Sequence, residues 1–435
     1  MPVSILKKRV VVSAVVAACV LLPVYLAEIV LAARLPIPFD LGTAFWSIGE
    51  ASEENKEAIR EIAGRFGVAP DTRRLAEVIA DMRARGHDVV PATQLAAIAW
   101  PGNSASGGGD VDRLLPLGGI SNRTTLLCNQ SGQYVSYESD EHGFRNPRGI
   151  WRSRRFDVAV VGQSFAQGYC VEEGKTIVDH LRSEYSAVAN LGWSGQGPLL
   201  QLGAIKEYLP RYSPRIVLWV FQEGIDLQDL RKEETLPIAR RYLEREFTQR
   251  LLERQSEIDK FLQRYADHPA GLDPAPPARS LSIAEKAEPV LKLWHLRTWL
   301  GAFLAVDDAR EVARLEQSGF QPLHDILQQA RDISAGWGGR LHIVYLPSWR
   351  RYQHRSSDVQ RTMVLRLAES LDIPVIDAVV AFRQEPDPLS LFPFRVFGHY
   401  NAKGNRLVGQ AIQAALERAP EVSELPNERT SGPTH

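Results

Sequence analysis

The stretch "FDVAVVGQSFAQG" at Phe156–Gly168 decides the fold. It begins with a short run of β-branched and small apolar residues, which is typical of a strand buried on both faces of a parallel sheet. The run ends at Gly162, and Ser164 follows two positions later. Ligands of parallel sheets bind outside the carboxyl ends of the strands, so Ser164 falls on the edge where such proteins keep their sites. Taken alone, this serine fits two roles, a nucleophile or the N-cap of the next helix.

Four further apolar runs of the same kind follow this strand. Helical segments separate most of them, and the alternation predicts βαβ units, that is, a parallel sheet covered by helices on both faces. We therefore expect an α/β fold, a three-layer α/β/α sandwich with about five parallel strands. A helical insertion, about 228–335, separates the third strand from the fourth. The four runs are "AVANLG" at 187–192, "RIVLWVF" at 215–221, "LHIVYLP" at 341–347 and "IPVIDA" at 373–378.

The composition is that of a globular protein of 435 residues, with 44% hydrophobic and 24% charged residues. The net charge of -1 gives no general attraction for nucleic acid, so no nucleic-acid partner is expected. The predicted α/β domain covers 156–420. We expect helices and loops over 35–155, leading into this domain, with a stretch at 121–147 that alternates like strands with turns. A disordered polar tail is expected at 421–435.

The N-terminus has the pattern of a membrane anchor. Basic residues at 7–9 precede an apolar stretch, 10–33, in which Glu28 is the only charged residue. About 20 apolar residues span a bilayer, and a basic flank stays in the cytoplasm. The pattern predicts that 1–34 form a cytoplasmic N-terminus and a single helix through the inner membrane, with the main domain in the periplasm or outside. A cleaved signal peptide is the alternative.

The sequence contains three cysteines, and their spacing is not that of a metal site, so no metal is expected. Cys19 lies inside the apolar stretch. Cys128 and Cys170 lie in the part predicted to be outside the cytoplasm, where disulfides persist. We expect a disulfide between these two, joining a segment before Ser164 to the turn after it. Two separate buried thiols are the alternative.

Three later motifs follow "GQSF" along the chain, "NLGWSGQGP" at 190–198, "QEGIDL" at 222–227 and "FGHYNAKGN" at 397–405. Together they resemble the blocks of the SGNH (GDSL-like) hydrolase superfamily over about 156–415. The resemblance implies that Ser164 is the nucleophile and His399 its general base, with Gly195, or Gly192 as the second choice, in the oxyanion hole. A further segment, "DEHGFRNP", resembles one that precedes the serine block in bacterial exported members. This further segment is at 140–147.

The chemistry of these residue types agrees with that resemblance. A serine hydroxyl is a weak nucleophile until an adjacent base takes its proton, and histidine suits the task because its pKa lies near neutrality. The oxyanion that forms next needs preorganised N–H donors. Here the backbone N–H groups of Ser164 and Gly195 are expected to supply them.

The sequence departs from the superfamily pattern at two polar positions. Ile225 stands where an asparagine normally donates to the oxyanion, and losing one such donor costs about 100-fold to 1,000-fold in rate. Val396 stands three residues before the histidine, where the superfamily usually has an aspartate. The sequence does not select a replacement for that carboxylate. The alternatives are a Ser–His dyad leaning on a backbone carbonyl, or a carboxylate from Asp377, Asp387 or Glu223.

The resemblance implies an SGNH-type serine esterase or O-acyltransferase that acts on an envelope or exported polysaccharide and needs no cofactor. The expected partners are an acylated polysaccharide or glycan substrate and a multi-pass membrane acyltransferase. A different class of function stays open beside this one. It is a catalytically degenerate SGNH fold that serves as a binding or scaffold subunit of a polysaccharide assembly complex, and Ile225 and Val396 favour it.

Overall fold

The computed structural model describes residues 19, 21–30, 48–99, 111–267, 290–293, 296, 321–353, 358–396 and 398–418. The strands are β1 Val89–Pro91, β2 Thr124–Leu126, β3 Ser136–Glu138, β4 Val158–Val161, β5 Val188–Asn190, β6 Ile216–Gln222, β7 Arg340–Leu346 and β8 Val375–Asp377. The α-helices are α1 Glu53–Gly64, α2 Leu75–Ala84, α3 Leu95–Ala99, α4 Ser164–Gln167, α5 Ile177–Arg182, α6 Pro198–Tyr208, α7 Asp226–Glu233, α8 Pro237–Arg240, α9 Gln255–Ala266, α10 Gln321–Gly336, α11 Arg350–Gln353, α12 Val359–Ser370, α13 Ala378–Gln384 and α14 Ala402–Glu417. Short 3-10 helices cover Ile48–Glu50, Ile150–Arg152, Arg241–Leu243, Leu251–Glu253, Pro388–Leu391 and Pro393–Arg395.

A parallel sheet of five strands forms the centre of the fold, in the order β5-β4-β6-β7-β8. The five apolar runs of the sequence form these five strands, so the predicted parallel sheet is confirmed. The chain runs from β4 outward to β5 on one side and then to β6 on the other. The strand order therefore reverses at β4, and the crevice at such a point is where open α/β sheets bind ligands. Ser164 follows β4 directly.

Helices cover both faces of this sheet because the strands are apolar on both faces. Ala159 and Val161 of β4 belong to a core cluster that also contains α6 and α10 side chains. Val158 and Val160 belong to a second cluster with side chains of α5 and α14. Alternation along each strand sends successive side chains to opposite faces, which is why one continuous apolar run supplies two cores.

A second, smaller sheet lies in the region 35–155, and two of its strands fall in the stretch 121–147, where the alternation predicts strands and turns. β1 pairs with β2 in parallel, and β2 pairs with β3 in antiparallel orientation. Each of these strands has three residues. The backbone N–H of Leu95, after β1, donates to the carbonyl of Ser194, after β5. The small sheet therefore lies beside the carboxyl edge of the central sheet. The predicted boundary near residue 156 stays a prediction.

The predicted membrane location is corrected by the structure. Among the residues that the structure describes, no helix combines the length and the apolar character that a membrane crossing requires. This finding contradicts the predicted single-pass inner-membrane protein with a periplasmic domain. Of the apolar stretch 10–33 the structure describes residue 19 and the helical residues 21–30. The rest of that stretch lies outside the described residues.

Parts of two further predictions also lie outside the described residues. Within the predicted insertion, α8, α9 and α10 are described, whereas most of 268–320 is not. The predicted tail at 421–435 is likewise outside them.

Cys128 and Cys170 are joined by a disulfide, with their Cα atoms 5.3 Å apart.

Candidate active site

Ser164 begins α4 immediately after the turn that ends β4, and its side chain is 6% exposed. Gly162 makes this turn possible, because a Cβ there would lie 2.9 Å from the Cβ of Val220 on the neighbouring strand. The helix is one turn long and ends at Gly168, which has φ +73°. The result is a tight strand–turn–helix that holds the Ser164 hydroxyl at the carboxyl edge of the sheet.

His399 lies in the loop before α14, and its Nε2 is 2.7 Å from the Oγ of Ser164. Asn401 caps α14 by accepting a hydrogen bond from the backbone N–H of Gly404, which fixes the loop that carries the histidine. The imidazole packs between two aromatic rings, with centroid distances of 4.8 Å to Phe165 and 5.1 Å to Tyr169. The structure thus brings together the serine and the histidine that the sequence singled out.

Gln130 holds the other side of the imidazole. Its Oε1 lies 2.9 Å from the Nδ1 of His399 and accepts the backbone N–H of the same residue at 3.2 Å. A backbone N–H is always a donor, so the atom that it meets must be the amide oxygen of Gln130. Nδ1 must therefore carry the proton, which leaves Nε2 as an acceptor for the Ser164 hydroxyl. Gly398 permits this approach, since a Cβ there would lie 3.1 Å from the same Oε1.

The protonation state of His399 follows from its burial. The side chain is 2% exposed, and desolvation lowers the pKa of His399 to about 3. A buried imidazole resists protonation because the cation loses its hydration. Gln130 carries no charge that would offset this loss. His399 is therefore neutral at physiological pH, which is the state that a general base requires.

The three carboxylates that the sequence offered as partners for His399 are bound to arginines. Asp377 pairs with Arg361, Asp387 pairs with Arg395, and Glu223 pairs with Arg351. Glu223 also accepts hydrogen bonds from the Tyr345 hydroxyl and the Ser348 backbone N–H. Val396 packs in an apolar cluster with Ile48 and Phe394. The described hydrogen bonds of His399 go to Gln130 and Ser164, so a carboxamide occupies the place where a carboxylate was expected.

The two glycines predicted for the oxyanion hole differ in what their backbones do. The N–H of Gly192 donates to the Asn190 side chain at 2.9 Å, and a Cβ at this position would lie 2.5 Å from the backbone nitrogen of Gln167. Gly192 therefore allows the loop after β5 to pack on α4. Among the described residues, the N–H groups of Gly195 and Ser164 have no acceptor. These two donors remain available to a reacting oxygen.

The segment "GFRN" at 143–146 forms hydrogen bonds with both loops around Ser164. Arg145 donates to the carbonyls of Gly168 at 2.6 Å and Val171 at 2.9 Å, both just beyond α4. Asn146 accepts the backbone N–H of Asn190 at 2.7 Å and donates to its carbonyl at 2.9 Å, at the end of β5. One short motif therefore fixes the serine loop and the glycine loop relative to each other.

The disulfide connects the group that holds the histidine to the loop that follows the serine. Cys128 lies two residues before Gln130, and Cys170 lies six residues after Ser164. Both cysteines are buried in a small cluster with Tyr137 and other apolar side chains. Within the described ranges, no group of three or more histidine, cysteine, aspartate or glutamate side chains is arranged to hold a metal ion.

Comparisons with known proteins give distant structural likenesses. No family model matches the sequence, and no curated protein matches it significantly. A two-domain esterase active on acetylated mannans, solved with mannopentaose, is similar over 63% of this chain and 52% of its own, with 13% identity and a TM-score of 0.30. An alpha/beta hydrolase enzyme from the metagenome of Lake Arreo, Spain, is similar over 61% of this chain and 97% of its own, with 14% identity and a TM-score of 0.30. The chain thus spans about half the length of the mannan esterase, and likenesses at this level carry no argument about function.

Proposed function

We propose that the protein is a serine esterase or O-acyltransferase of the SGNH type, with Ser164 as nucleophile and His399 as general base. One observation carries the proposal, the 2.7 Å contact between the Ser164 hydroxyl and the Nε2 of His399 across 235 positions of sequence. A serine that only caps a helix has no need of a buried imidazole. An imidazole whose proton is fixed on Nδ1 has its lone pair on Nε2, where a base needs it.

The reaction follows from this geometry. Ser164 Oγ attacks the acyl carbonyl carbon while its proton passes to the Nε2 of His399, and the carbonyl oxygen becomes an oxyanion. The backbone N–H groups of Ser164 and Gly195 stabilise that charge. The imidazolium then gives its proton to the departing alkoxide, which leaves an acyl group on Ser164. Gln130 keeps the ring oriented through both transfers by accepting the Nδ1 hydrogen bond.

The second half of the reaction distinguishes an esterase from a transferase. Water attacks the acyl-enzyme in hydrolysis, and a sugar hydroxyl attacks it in transfer; in both cases His399 takes the proton of the attacking group. We propose an acylated polysaccharide as substrate because the motifs around Ser164 and His399 resemble a superfamily that often acts on carbohydrate. This support comes from the resemblance alone.

The degenerate scaffold function keeps one observation in its favour. Ile225 is partly exposed at the start of α7, where the superfamily has its oxyanion asparagine, and isoleucine has no group to donate. The scaffold function requires no working serine, whereas the proposed enzyme does. The reactivity of Ser164 therefore separates the two.

A fluorophosphonate probe tests the proposal directly, because it phosphonylates only serines that a base activates. We expect stoichiometric labelling of the full chain at Ser164, no labelling of Ser164→Ala, and at least 100-fold slower labelling of His399→Ala. Mass spectrometry of the labelled peptide identifies the residue. Absence of labelling in the folded wild-type protein would contradict the enzyme and leave the scaffold.

A further inference from the structure

Gln222 is a buried polar side chain without a partner at the carboxyl end of β6. The residue is 2% exposed, and its Oε1 is fully buried with no hydrogen bond. Its Nε2 donates to no described residue, yet it is not among the fully buried side-chain atoms that lack a partner, so it is not sealed off as Oε1 is. Buried amides nearly always find partners, because leaving one unpaired is unfavourable. The oxygen can only accept, so the group that can meet an oxyanion is Nε2, which is a donor without a described acceptor.

The strand register places Gln222 at the same edge of the sheet as Ser164. Val161 of β4 lies opposite Trp219 of β6, and three further residues along each chain lead to Ser164 and Gln222. Gly162 and Val220, each two residues before Ser164 and Gln222, are also neighbours, since a Cβ at Gly162 would lie 2.9 Å from the Cβ of Val220.

Hydrogen bonds beyond the last strand pair support the same alignment. Asp226 Oδ2 accepts both the backbone N–H of Gln222 and the side-chain Nε2 of Gln163. Gln163, which precedes Ser164, and Gln222 therefore donate to the same carboxylate oxygen of Asp226. The Gln222 backbone is pinned at this point, beside the start of α4.

The side chain of Gln222 belongs to the sheet face on which the histidine lies. Side chains alternate along β6, so Gln222 shares a face with Val220. Val220 packs in the same cluster as Phe165 and Tyr400, the residues that follow Ser164 and His399. Trp219 and Phe221 belong to the opposite core.

We propose that Gln222 donates a hydrogen bond from its Nε2 to the oxyanion formed at Ser164, and so replaces the donor that Ile225 lacks. The inference rests on the proposed function. Glutamine is one methylene longer than asparagine, and Gln222 lies three positions earlier in the chain than Ile225, within the strand. A strand holds its side chains more precisely than the turn at Ile225 does.

The experiment compares Gln222→Met with wild type, using p-nitrophenyl acetate and the full-length chain. Methionine keeps the length of the side chain and removes the donor. We expect kcat to fall by about 100-fold to 1,000-fold, as for the loss of one oxyanion donor, with KM changed less than about threefold. An alkyl boronic acid, which forms a tetrahedral adduct with a reactive serine, should lose affinity by the same factor as kcat/KM.

Gln329→Met is the matched control. Gln329 also has a buried Oε1 without a partner, but it lies on α10 and its Nε2 donates to the carbonyl of Leu243. We expect wild-type kcat and boronate affinity for this variant. Gln222→Glu is the second test variant, because it keeps size and polarity and replaces the donor group with a charge that repels the oxyanion. It should lose at least as much activity as Gln222→Met.

The outcomes separate the two proposals. A wild-type protein that labels with fluorophosphonate, together with folded Gln222 variants that keep wild-type kcat and boronate affinity, overturns the role of Gln222 alone. A folded wild-type protein that neither labels nor turns over ester overturns the proposed function and the role of Gln222 with it. If Gln222→Met does not fold by circular dichroism, Gln222→Glu decides.

Discussion

Two regions of the molecule meet at His399, and they encode their contributions differently. The carboxyl edge of the parallel sheet supplies Ser164 from a strand whose apolar run is plain in the sequence. The small sheet supplies Gln130 from the loop between β2 and β3, two strands of three residues each. The first contribution follows from a periodic pattern, whereas the second depends on tertiary contacts. The comparison teaches that the group which orients a histidine can come from a loop residue that no sequence pattern marks.

The two regions also differ in charge. The candidate carboxylates are neutralised by arginines, as in the pairs Asp377–Arg361 and Asp387–Arg395. The small sheet offers a neutral amide instead. A carboxylate beside the imidazole would stabilise its cation, and an amide does so far less. The origin of the orienting group therefore determines how the base titrates.

The largest expected effect tests the sheet-edge contribution. Ser164→Ala and His399→Ala should each lower kcat for p-nitrophenyl acetate by about 10⁴-fold or more, because the two side chains act as one unit. For the same reason the double variant should lose no more than either single variant. Losses that multiply in the double variant would show that the two residues do not cooperate.

The next effect tests the small-sheet contribution. Gln130→Leu leaves the Nδ1–H of His399 buried without an acceptor and frees the ring to turn, so kcat should fall by about 10³-fold. Gln130→Glu restores an acceptor of the same size and should recover most of the loss. Equal activity of wild type and Gln130→Leu would show that the amide does not orient the base.

The pH dependence of kcat/KM tests the same contact more sharply, because misfolding lowers activity without moving the acid limb of the profile. Burial holds the pKa of His399 at about 3, below the ordinary value of 6.5. Wild-type kcat/KM should therefore stay level from pH 7 to below pH 5. In Gln130→Glu the new charge raises the pKa of His399, so the acid limb should move to higher pH. An unchanged acid limb in this variant would contradict the assigned contact.

The same burial links His399 to folding stability. Its pKa is lower in the folded state than in the unfolded chain, so the unfolded chain binds more protons between about pH 3 and pH 6.5. The histidine's contribution to the free energy of unfolding is full above pH 6.5 and decreases as the pH falls through that window. Activity profiles should therefore be recorded beside melting curves at each pH.

A smaller effect on activity is expected when the disulfide that links the two regions is removed. Replacing both Cys128 and Cys170 by serine should lower the free energy of unfolding by about 2–4 kcal/mol, since the disulfide spans 42 positions. Gln130 keeps its hydrogen bonds to His399, so kcat should fall less than about tenfold. Urea unfolding gives the first quantity and ester hydrolysis the second. A loss of kcat as large as that of Gln130→Leu would show that the crosslink itself positions the amide.

The smallest effect is expected at a carboxylate that the sequence offered and the structure pairs elsewhere. Asp387→Asn removes an exposed ion pair with Arg395, which contributes about 0–1 kcal/mol. Its kcat should stay within about twofold of wild type, and its acid limb should not move. A loss comparable to Gln130→Leu would return Asp387 to the role of orienting group.

The strands could be predicted from the sequence because they depend on periodicity. The hydrogen-bond partners in the site could not, because they depend on tertiary contacts. The five strands follow from their apolar runs, and the end of the first run at Gly162 predicted Ser164 at the carboxyl edge of the sheet. Gln130 lies two residues after Cys128 and two before Gly132, but no pattern of residue types marks it as a partner of a histidine 269 positions away. The same holds for Gln222, because a polar residue at a strand end is common and only its burial without a partner makes it unusual. The three carboxylates were proposed on chemical type, and their arginine partners became visible only in three dimensions.

The order in which the site's members occur along the chain has a consequence for synthesis. Gln130 and Ser164 leave the ribosome long before His399, which lies in the loop just ahead of α14. A serine without its base is a weak nucleophile, so the nascent domain is inert toward esters until that loop docks. In the proposed enzyme, activity would therefore depend on the docking of a loop that is synthesised after all five strands of the central sheet.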